Sequence, residues 1–325
     1  MKRLAIAAIV LASLAVAGEI FIFATRKEGN DDETLRRAIK ADYRVYAPPI
    51  PDTMSFCGEL VPLNIYYVRE SLDRELVSNM YWQSNMLLWL KRAGRCFPVI
   101  EPILKRNGVP DDFKYLCVIE SGLTNVTSPA KAQGYWQFIK ATGERYGLEI
   151  NDEVDMRNDL EASTEAACRY LKSLYARFGS WSAAAAAYNC GEAGLDRRLS
   201  LEGVGSYYDV RLNRETARYV YRILAVKLIF QNPQDYGFFV RRCDLYPVLP
   251  YREVTLDGRD VDLYLFAQQN DCSYKMLREM NPWITTDRFK NKNGRSYTLR
   301  LPTKKGTEYN TITRGHKDTS VVTNL

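Results

Sequence analysis

One glutamate of the sequence is a candidate general acid catalyst. Glu120 closes an apolar stretch, residues 113–119, that follows Pro110 and two aspartates, a pattern typical of a helix start. Gly122 and the polar residues after it should end this helix, so we expect Glu120 in its last turn. Burial and the negative end of a helix both disfavour an ionised carboxylate, so its pKa should be raised. A carboxyl protonated near neutral pH can act as a general acid. The alternative is a capped surface glutamate.

Three later segments carry side chains that can hydrogen-bond or stack on a polar ligand. They read Ala-Gln-Gly-Tyr-Trp-Gln, Ala-Tyr-Asn-Cys-Gly and Glu-Thr-Ala-Arg-Tyr-Val. The candidate binding residues in and near them are Ser128, Gly134, Gln137, Tyr188, Asn189 and Tyr219. Trp136 and Trp181 can either stack on a ligand or fill the core.

The composition excludes several kinds of site. The sequence has 325 residues and one histidine, His316, which argues against Ser-His-Asp and Cys-His nucleophiles and against His-rich zinc sites. It contains no phosphate-binding P-loop, no dinucleotide-binding glycine fingerprint and no CxxC pair. We therefore expect neither a metal nor a cofactor. The net charge of +6 is spread along the chain, so nucleic-acid binding is not expected.

The seven cysteines leave their pairing open, because their number is odd and their spacing selects no partners. Cys117, Cys168 and Cys190 lie in apolar helical contexts and are expected to be buried thiols. The others can pair if the compartment is oxidising. These are Cys57, Cys96, Cys243 and Cys272.

The periodicity from residue 56 to residue 245 predicts an all-helical domain. Its helices are expected at 68–76, 82–93, 97–105, 110–120, 137–146, 160–178, 181–189 and 213–231. Residues 151–159 read as a solvated acidic loop. From residue 246 to residue 305 the pattern changes to strand, helix, helix, strand, which predicts a small α+β domain. The expected fold class is therefore mainly α, followed by a small α+β domain. Residues 306–325 are polar and are expected to be disordered.

The N-terminal segment predicts export. Residues 1–25 begin with two basic residues and continue as an apolar run, which fits either a cleaved signal peptide or an uncleaved membrane anchor. Residues 26–55 are charged and then proline-rich, which is typical of a linker.

The motifs around Glu120, Gly134, Tyr188-Asn189 and Tyr219 resemble, in this order and spacing, those of the lytic transglycosylases of bacterial cell walls. The likeness is to their SLT domain, which is related to goose-type lysozyme, and within the family to the membrane-bound lytic murein transglycosylase D group. It implies a lysozyme-like helical domain over residues 56–245. Two departures are Lys131, where small residues are common, and a spacing from Glu120 to Ser128 that is one residue short.

The resemblance implies a single-carboxylate mechanism on peptidoglycan. Glu120 would protonate the glycosidic oxygen between N-acetylmuramic acid (MurNAc) and N-acetylglucosamine (GlcNAc). It would then act as a base and take the proton of the muramoyl 6-hydroxyl, which attacks C1 and gives a 1,6-anhydro product. Ser128 and Gln137 would bind the sugar, and Gly134 would let the backbone approach it. Tyr188 would hold or polarise Glu120. The remaining roles fall to Asn189, which would bind substrate or brace the loop, and to Tyr219, which would reach the cleft.

The C-terminal pattern resembles a LysM-type glycan-binding module, although the usual Gly-Asp-Thr opening is absent. The resemblance implies a monomer of the periplasm or cell envelope that binds glycan strands, with the membrane as a second partner through the N-terminal segment. Two alternatives stay open: a hydrolytic muramidase and a non-catalytic peptidoglycan-binding protein. A muramidase needs a second carboxylate, and its candidates are Asp152, Glu153 and Asp155.

Overall fold

The computed structural model describes Arg36 and residues 45–292, 294–313 and 317–325. Most of the described chain up to residue 231 is α-helical. The helices are α1 Tyr66–Tyr81, α2 Gln83–Arg106, α3 Phe113–Ser121, α4 Lys140–Arg145, α5 Leu160–Phe178, α6 Trp181–Cys190, α7 Glu192–Glu202 and α8 Arg214–Gln231. Short 3₁₀ helices lie at Met156–Asn158, Pro233–Tyr236 and Arg242–Asp244, and a two-stranded hairpin, β1 Ser55–Phe56 and β2 Glu59–Leu60, precedes α1.

The helix α8 forms the centre of the helical domain. It packs against α1, α3 and α6, and twelve of its residues are buried. The five consecutive alanines of α6, Ala183 to Ala187, are all buried, and their small side chains let α6 approach both α5 and α8 closely. Because α3 and α6 flank α8, residues far apart in the sequence meet at one end of this core.

Helix α2 differs from the sequence prediction, which divided it into two helices near Gly94. A Cβ added at Gly94 would lie only 2.8 Å from the Leu245 Cβ, so the glycine serves close packing inside one continuous helix. The helix predicted at 137–146 starts only at Lys140, because Gln137 adopts a positive φ of 50°. Helix α7 was not predicted, because Leu195 is its one buried residue.

The C-terminal domain has the predicted strand–helix–helix–strand order, which confirms the fold class. Strand β3 Tyr251–Leu256 pairs antiparallel with β6 Tyr297–Pro302, and β4 Val261–Asp262 pairs with β5 Arg288–Phe289. The helices α9 Leu263–Gln269 and α10 Tyr274–Met280 lie between them in sequence. Their apolar side chains form a second core, which also takes in Val154 from the helical domain.

The segment expected to be disordered is instead partly structured. Helix α11 spans Tyr309–Ile312, and Val322 is buried. The backbone N–H of Leu325 donates to the Phe230 carbonyl at 3.0 Å, and the Leu325 carbonyl accepts from the Tyr115 hydroxyl at 3.0 Å. The last four residues therefore pack on the helical domain.

The predictions for residues 1–25 lie outside the described residues. Within the described part of the chain, no helix is both long and apolar enough to span a membrane. Cys57, Cys96, Cys117, Cys168, Cys190 and Cys272 are free thiols, with Cys117 and Cys168 buried and Cys190 half-buried.

Candidate active site

Glu120 lies in the last turn of α3, as predicted. The helix ends at Ser121, and Gly122 follows in the left-handed conformation with φ 60°. Seven consecutive buried residues, from Phe113 to Ile119, fix this helix in the core, and Glu120 itself is partly buried. Burial raises the pKa of Glu120 to about 7, which confirms the predicted direction. Near neutral pH this carboxyl is therefore present in both its protonated and its ionised form.

Tyr219 fixes the orientation of the Glu120 carboxyl. Its hydroxyl donates a hydrogen bond to Glu120 Oε1, and its ring is buried in the second turn of α8. This hydrogen bond favours the ionised form of Glu120 and lowers its pKa, against the larger effect of burial. Burial also raises the pKa of Tyr219 well above its usual value, so the phenol remains a donor.

Two charged residues on the same face of α8 adjust this pKa further. Arg222 is placed to lower the pKa of Glu120, and Glu215 is placed to raise it. Glu215, Tyr219 and Arg222 are spaced by four and three residues, which brings them to one side of the helix. The guanidinium of Arg222 also lies near the Ile119 carbonyl, with Nη2 3.5 Å from the oxygen.

The loop after Glu120 is held by its own polar side chains. The Ser128 hydroxyl accepts from the Ala132 N–H at 3.0 Å. The Gln137 amide donates to the carbonyls of Val126 at 2.9 Å and Gly134 at 2.7 Å. Ser128 and Gln137 therefore brace the loop, and their contacts with a sugar stay predictions.

Gly134 is required by the protein backbone. It has φ 82°, and a Cβ added there would overlap the Arg157 carbonyl oxygen and lie 2.6 Å from the carbonyl carbon. We predicted that Gly134 lets a sugar come close to the backbone, but the space that its missing side chain leaves is filled by the backbone of Arg157. Approach of the Gly134 backbone to a sugar remains a prediction.

Sequence reasoning missed Arg157. Its buried guanidinium donates to the carbonyls of Phe138 at 3.1 Å and Lys131 at 3.3 Å and to Gln133 Oε1 at 3.1 Å. Asp155 pairs with it through two hydrogen bonds of 2.9 and 2.6 Å. This ion pair holds the two ends of the Lys131–Phe138 loop. The sequence signal for this ion pair was an aspartate two residues before an arginine, just ahead of a predicted helix.

Tyr188 and Asn189 lie at the end of α6. The hydroxyl of Tyr188 does not bond to Glu120, the partner that we predicted for it. The Tyr188 hydroxyl donates to the Trp136 carbonyl at 2.7 Å, while Tyr219 is the residue that bonds to Glu120. The Asn189 amide donates to Glu215 Oε1 at 3.1 Å, and its oxygen accepts from Thr216 at 2.8 Å. Asn189 therefore links α6 to the first turn of α8.

The two tryptophans belong to the core. Trp136 is fully buried, and its indole donates to Thr164 Oγ1 at 2.8 Å. Trp181 stacks on Tyr175 with ring centroids 4.0 Å apart and meets Phe113 edge-on. Neither is placed to stack on a sugar.

Two of the three candidate second carboxylates in the acidic segment are engaged within the protein, and the segment is not a solvated loop. Asp155 is paired with Arg157, and the Glu153 carboxylate accepts from the Lys290 N–H. Val154 forms a β-bridge with Ile284, and the Asp155 N–H donates to the Trp283 carbonyl at 2.7 Å. The segment is the contact surface for the C-terminal domain.

A groove beside Glu120 was also missed. It has a volume of about 380 Å³ and lies between the α1–α2 junction and α8. Among the described residues, no group of three or more His, Cys, Asp and Glu side chains is placed to hold a metal ion.

Two family models match the chain. The transglycosylase SLT domain matches residues 97–208, which contain Glu120, the braced loop and α6. The soluble lytic transglycosylase C-terminal LysM-like domain matches residues 252–305. Both resemblances drawn from the sequence are confirmed by these matches.

The chain is also similar to curated proteins. It is 30% identical over 198 residues to the membrane-bound lytic murein transglycosylase D of Escherichia coli (strain K12), covering 58% of this chain and 43% of that protein. It is 32% identical over 120 residues to a "Putative tributyltin chloride resistance protein" of Alteromonas sp. (strain M-1), covering 35% of this chain and 57% of that protein. The chain thus spans about half the length of the curated relatives it matches.

Proposed function

We propose that this chain, in which a transglycosylase SLT domain is followed by a LysM-like C-terminal domain, is a peptidoglycan lytic transglycosylase. It cleaves the β-1,4 bond between MurNAc and GlcNAc and leaves 1,6-anhydro-MurNAc. The observation that carries the proposal is the state of Glu120: a partly buried carboxyl with a pKa of about 7, oriented by the Tyr219 hydroxyl.

The proposed reaction needs one carboxyl. Protonated Glu120 gives its proton to the glycosidic oxygen as the bond from that oxygen to C1 breaks. The 6-hydroxyl of the same MurNAc attacks C1, and its proton passes to the Glu120 carboxylate. The C1–O6 bond closes the anhydro ring, no water is consumed, and Glu120 ends protonated as it began. A pKa of about 7 suits both steps, because both forms of the carboxyl are accessible near neutral pH.

Six further residues have proposed roles around this reaction. Tyr219 orients the carboxyl and faces the substrate, and Asn189 binds the sugar from the end of α6. Gln137, Ser128, Gly134 and Tyr188 shape and contact the sugar-binding loop. Their hydrogen bonds within the protein support this part of the proposal, because a braced loop presents its remaining polar groups in a fixed geometry.

The setting proposed for the enzyme is the cell envelope. The chain acts in the periplasm as a monomer on glycan strands, either released or held to the membrane by residues 1–25. The LysM-like domain at residues 246–305 binds glycan, and residues 56–245 carry the chemistry. The family matches support the glycan-binding part of this proposal.

Mass spectrometry of purified peptidoglycan digested by the chain tests the proposal. The expected products end in 1,6-anhydro-MurNAc, and Glu120→Gln should release almost none. Equal effects of the wild type and Glu120→Gln would instead identify a non-catalytic wall-binding protein.

Hydrolysis is a second candidate, and the position of Glu215 favours it. This carboxylate is exposed, lies close enough to Glu120 to raise its pKa, and accepts a hydrogen bond from Asn189. It can therefore activate a water molecule as the second carboxylate of a muramidase. Reducing ends without anhydro sugars, lost on Glu215→Gln, would establish this reaction.

A further inference from the structure

The groove beside the candidate active site combines cations with exposed aromatic surface. It lies along α8 and is closed on the other side by the junction of α1 and α2. Its principal lining residues are Trp82, Trp89, Arg214, Glu215, Arg218 and Arg222. We call this the arginine–tryptophan groove.

The arginine–tryptophan groove adjoins the Glu120 carboxyl. A Cβ added to Gly122 would overlap the Trp89 indole nitrogen, so Trp89 packs directly on the turn that follows Glu120. Two of the lining residues, Arg222 and Glu215, both act on the charge of Glu120. A substrate that places its scissile bond at Glu120 can therefore extend a substituent into this groove.

The groove is lined by more arginines than carboxylates. Arg218 is held by the buried Glu75, with hydrogen bonds of 2.7 and 3.0 Å. Over the described residues, neither Arg214 nor Arg222 forms an ion pair. The Glu215 carboxylate accepts from Asn189 instead. Arg214 thus faces the groove without an ion-pair partner, and Arg222 faces it with the Glu120 carboxyl and the Ile119 carbonyl as its neighbours. Guanidinium is the side chain best shaped to bind a carboxylate.

The spacing of these two arginines fits an extended peptide. They are eight residues apart on α8, which at 1.5 Å per residue separates them by about 12 Å. An extended peptide of three or four residues has about this length. Trp82 is 53% exposed and meets Trp89 edge-on, with ring centroids 5.8 Å apart. It offers an apolar surface for the aliphatic part of such a peptide.

We propose that the arginine–tryptophan groove binds the acidic stem peptide carried by the muramoyl residue at the cleavage site. The peptide lies along α8 with its carboxylates at Arg222 and Arg214 and its aliphatic part on Trp82. This assignment rests on the proposed function, because it takes the substrate to be peptidoglycan. It makes the enzyme prefer strands that still carry their peptides.

The test compares two substrates: glycan strands with stem peptides, and the same strands after an amidase has removed the peptides. The quantity measured is the ratio of kcat/KM on the first substrate to kcat/KM on the second. The wild type should show a ratio well above one. Arg214→Gln should lower this ratio about tenfold, since a hydrogen-bonded charge pair contributes free energy of that order. Trp82→Ala should also lower it about tenfold, since it removes the apolar surface on which the aliphatic part of the peptide is buried.

Arg197→Gln is the matched control. Arg197 is an exposed arginine on α7, outside the groove, and its replacement should leave the ratio as in the wild type. Equal losses on both substrates in the groove variants would overturn the peptide assignment and indicate a contact with the sugar or its lactyl group. A wild-type ratio of one would overturn it as well, while anhydro products from both substrates would still support the proposed function.

A binding measurement keeps the two proposals separate. The free acidic stem tripeptide is titrated into the full chain carrying Glu120→Gln, and tryptophan fluorescence is recorded. Saturable binding is expected, with a Kd about tenfold weaker when Arg214→Gln is added. Absence of saturable binding overturns the groove assignment whether or not anhydro products are formed.

Discussion

The Tyr219 hydroxyl donates its hydrogen bond to the Glu120 carboxyl across 99 residues of sequence. Glu120 lies in the last turn of α3, and Tyr219 lies in the second turn of α8, so the geometry of the acid depends on the packing of these two helices. The following predictions concern this pair and the loop beside it.

Glu120→Gln should abolish transglycosylase activity and stabilise the fold at alkaline pH. General acid catalysis contributes about 10²–10⁴ to the rate, so we expect a loss at the upper end of this range. Because burial raises the pKa of Glu120 from 4.5 to about 7, its ionisation destabilises the folded state. Above pH 7 the variant should therefore be more stable than the wild type by about 2 kcal/mol, allowing for partial exposure.

Thermal unfolding monitored by circular dichroism at several pH values measures this stability difference. It should shrink as the pH falls and vanish below pH 4.5, where Glu120 is protonated in both the folded and the unfolded chain. A stability difference that does not change with pH would contradict the assigned pKa.

Tyr219→Phe should shift the pH dependence of activity upward. The tyrosine hydrogen bond favours the ionised carboxylate, so its removal raises the pKa of Glu120 above about 7. The alkaline fall in kcat/KM, which reports loss of the acid form, should then begin at a higher pH than in the wild type. We also expect kcat to fall about tenfold, because the carboxyl loses its fixed orientation. An unchanged profile would show that the hydrogen bond does not control the acid.

Asp155→Asn should loosen the loop that Arg157 holds. Removing one partner of a buried ion pair leaves the other charge uncompensated, which costs about 3 kcal/mol of unfolding free energy. KM for peptidoglycan should rise as well, because Arg157 binds the carbonyls of Lys131 and Phe138. Denaturant unfolding and steady-state kinetics measure the two effects.

Asp152→Asn is the control for Asp155→Asn, since it makes the same chemical change at an exposed position of the same segment. It should alter stability by less than about 0.5 kcal/mol. Comparable losses in the two variants would argue against a specific role for the buried pair.

Gly134→Ala should be far more damaging than the same change at Gly179. Both glycines have positive φ, 82° and 66° respectively, so both variants carry the backbone strain of an alanine in that region, about 1 kcal/mol. Only Gly134 faces the Arg157 carbonyl, whereas no atom lies within 4 Å of the Cβ position at Gly179. Gly134→Ala should therefore cost about 2 kcal/mol more and remove most of the activity. Equal unfolding free energies for the two variants would show that the close approach is not limiting.

The features of the fold that depend on neighbouring residues in the sequence were predicted. The end of α3 at Gly122 and the span of α5 from Leu160 to Phe178 follow from residue types and their spacing, as does the strand–helix–helix–strand order of the C-terminal domain. The raised pKa of Glu120 was also predictable, because the preceding apolar stretch indicated burial.

Contacts between distant segments could not be predicted in the same way. Nothing near Arg157 in the sequence shows that its guanidinium reaches the loop at residues 131–138. Tyr219 was expected to reach the cleft, but the choice between Tyr219 and Tyr188 as the partner of Glu120 depends on how α6 and α8 pack. The interface role of the acidic segment depends on a domain that begins about a hundred residues later.

The contact between the two domains determines what would happen if the C-terminal domain were removed. A chain cut before residue 246 would expose Val154, which is buried in the core of the C-terminal domain, and would leave the Asp155 N–H without its acceptor. Both lie within three residues of Arg157, the guanidinium that anchors the active-site loop. Removal of the C-terminal domain should therefore also disturb the Arg157 anchor, so this domain contributes to the packing that supports the candidate active site.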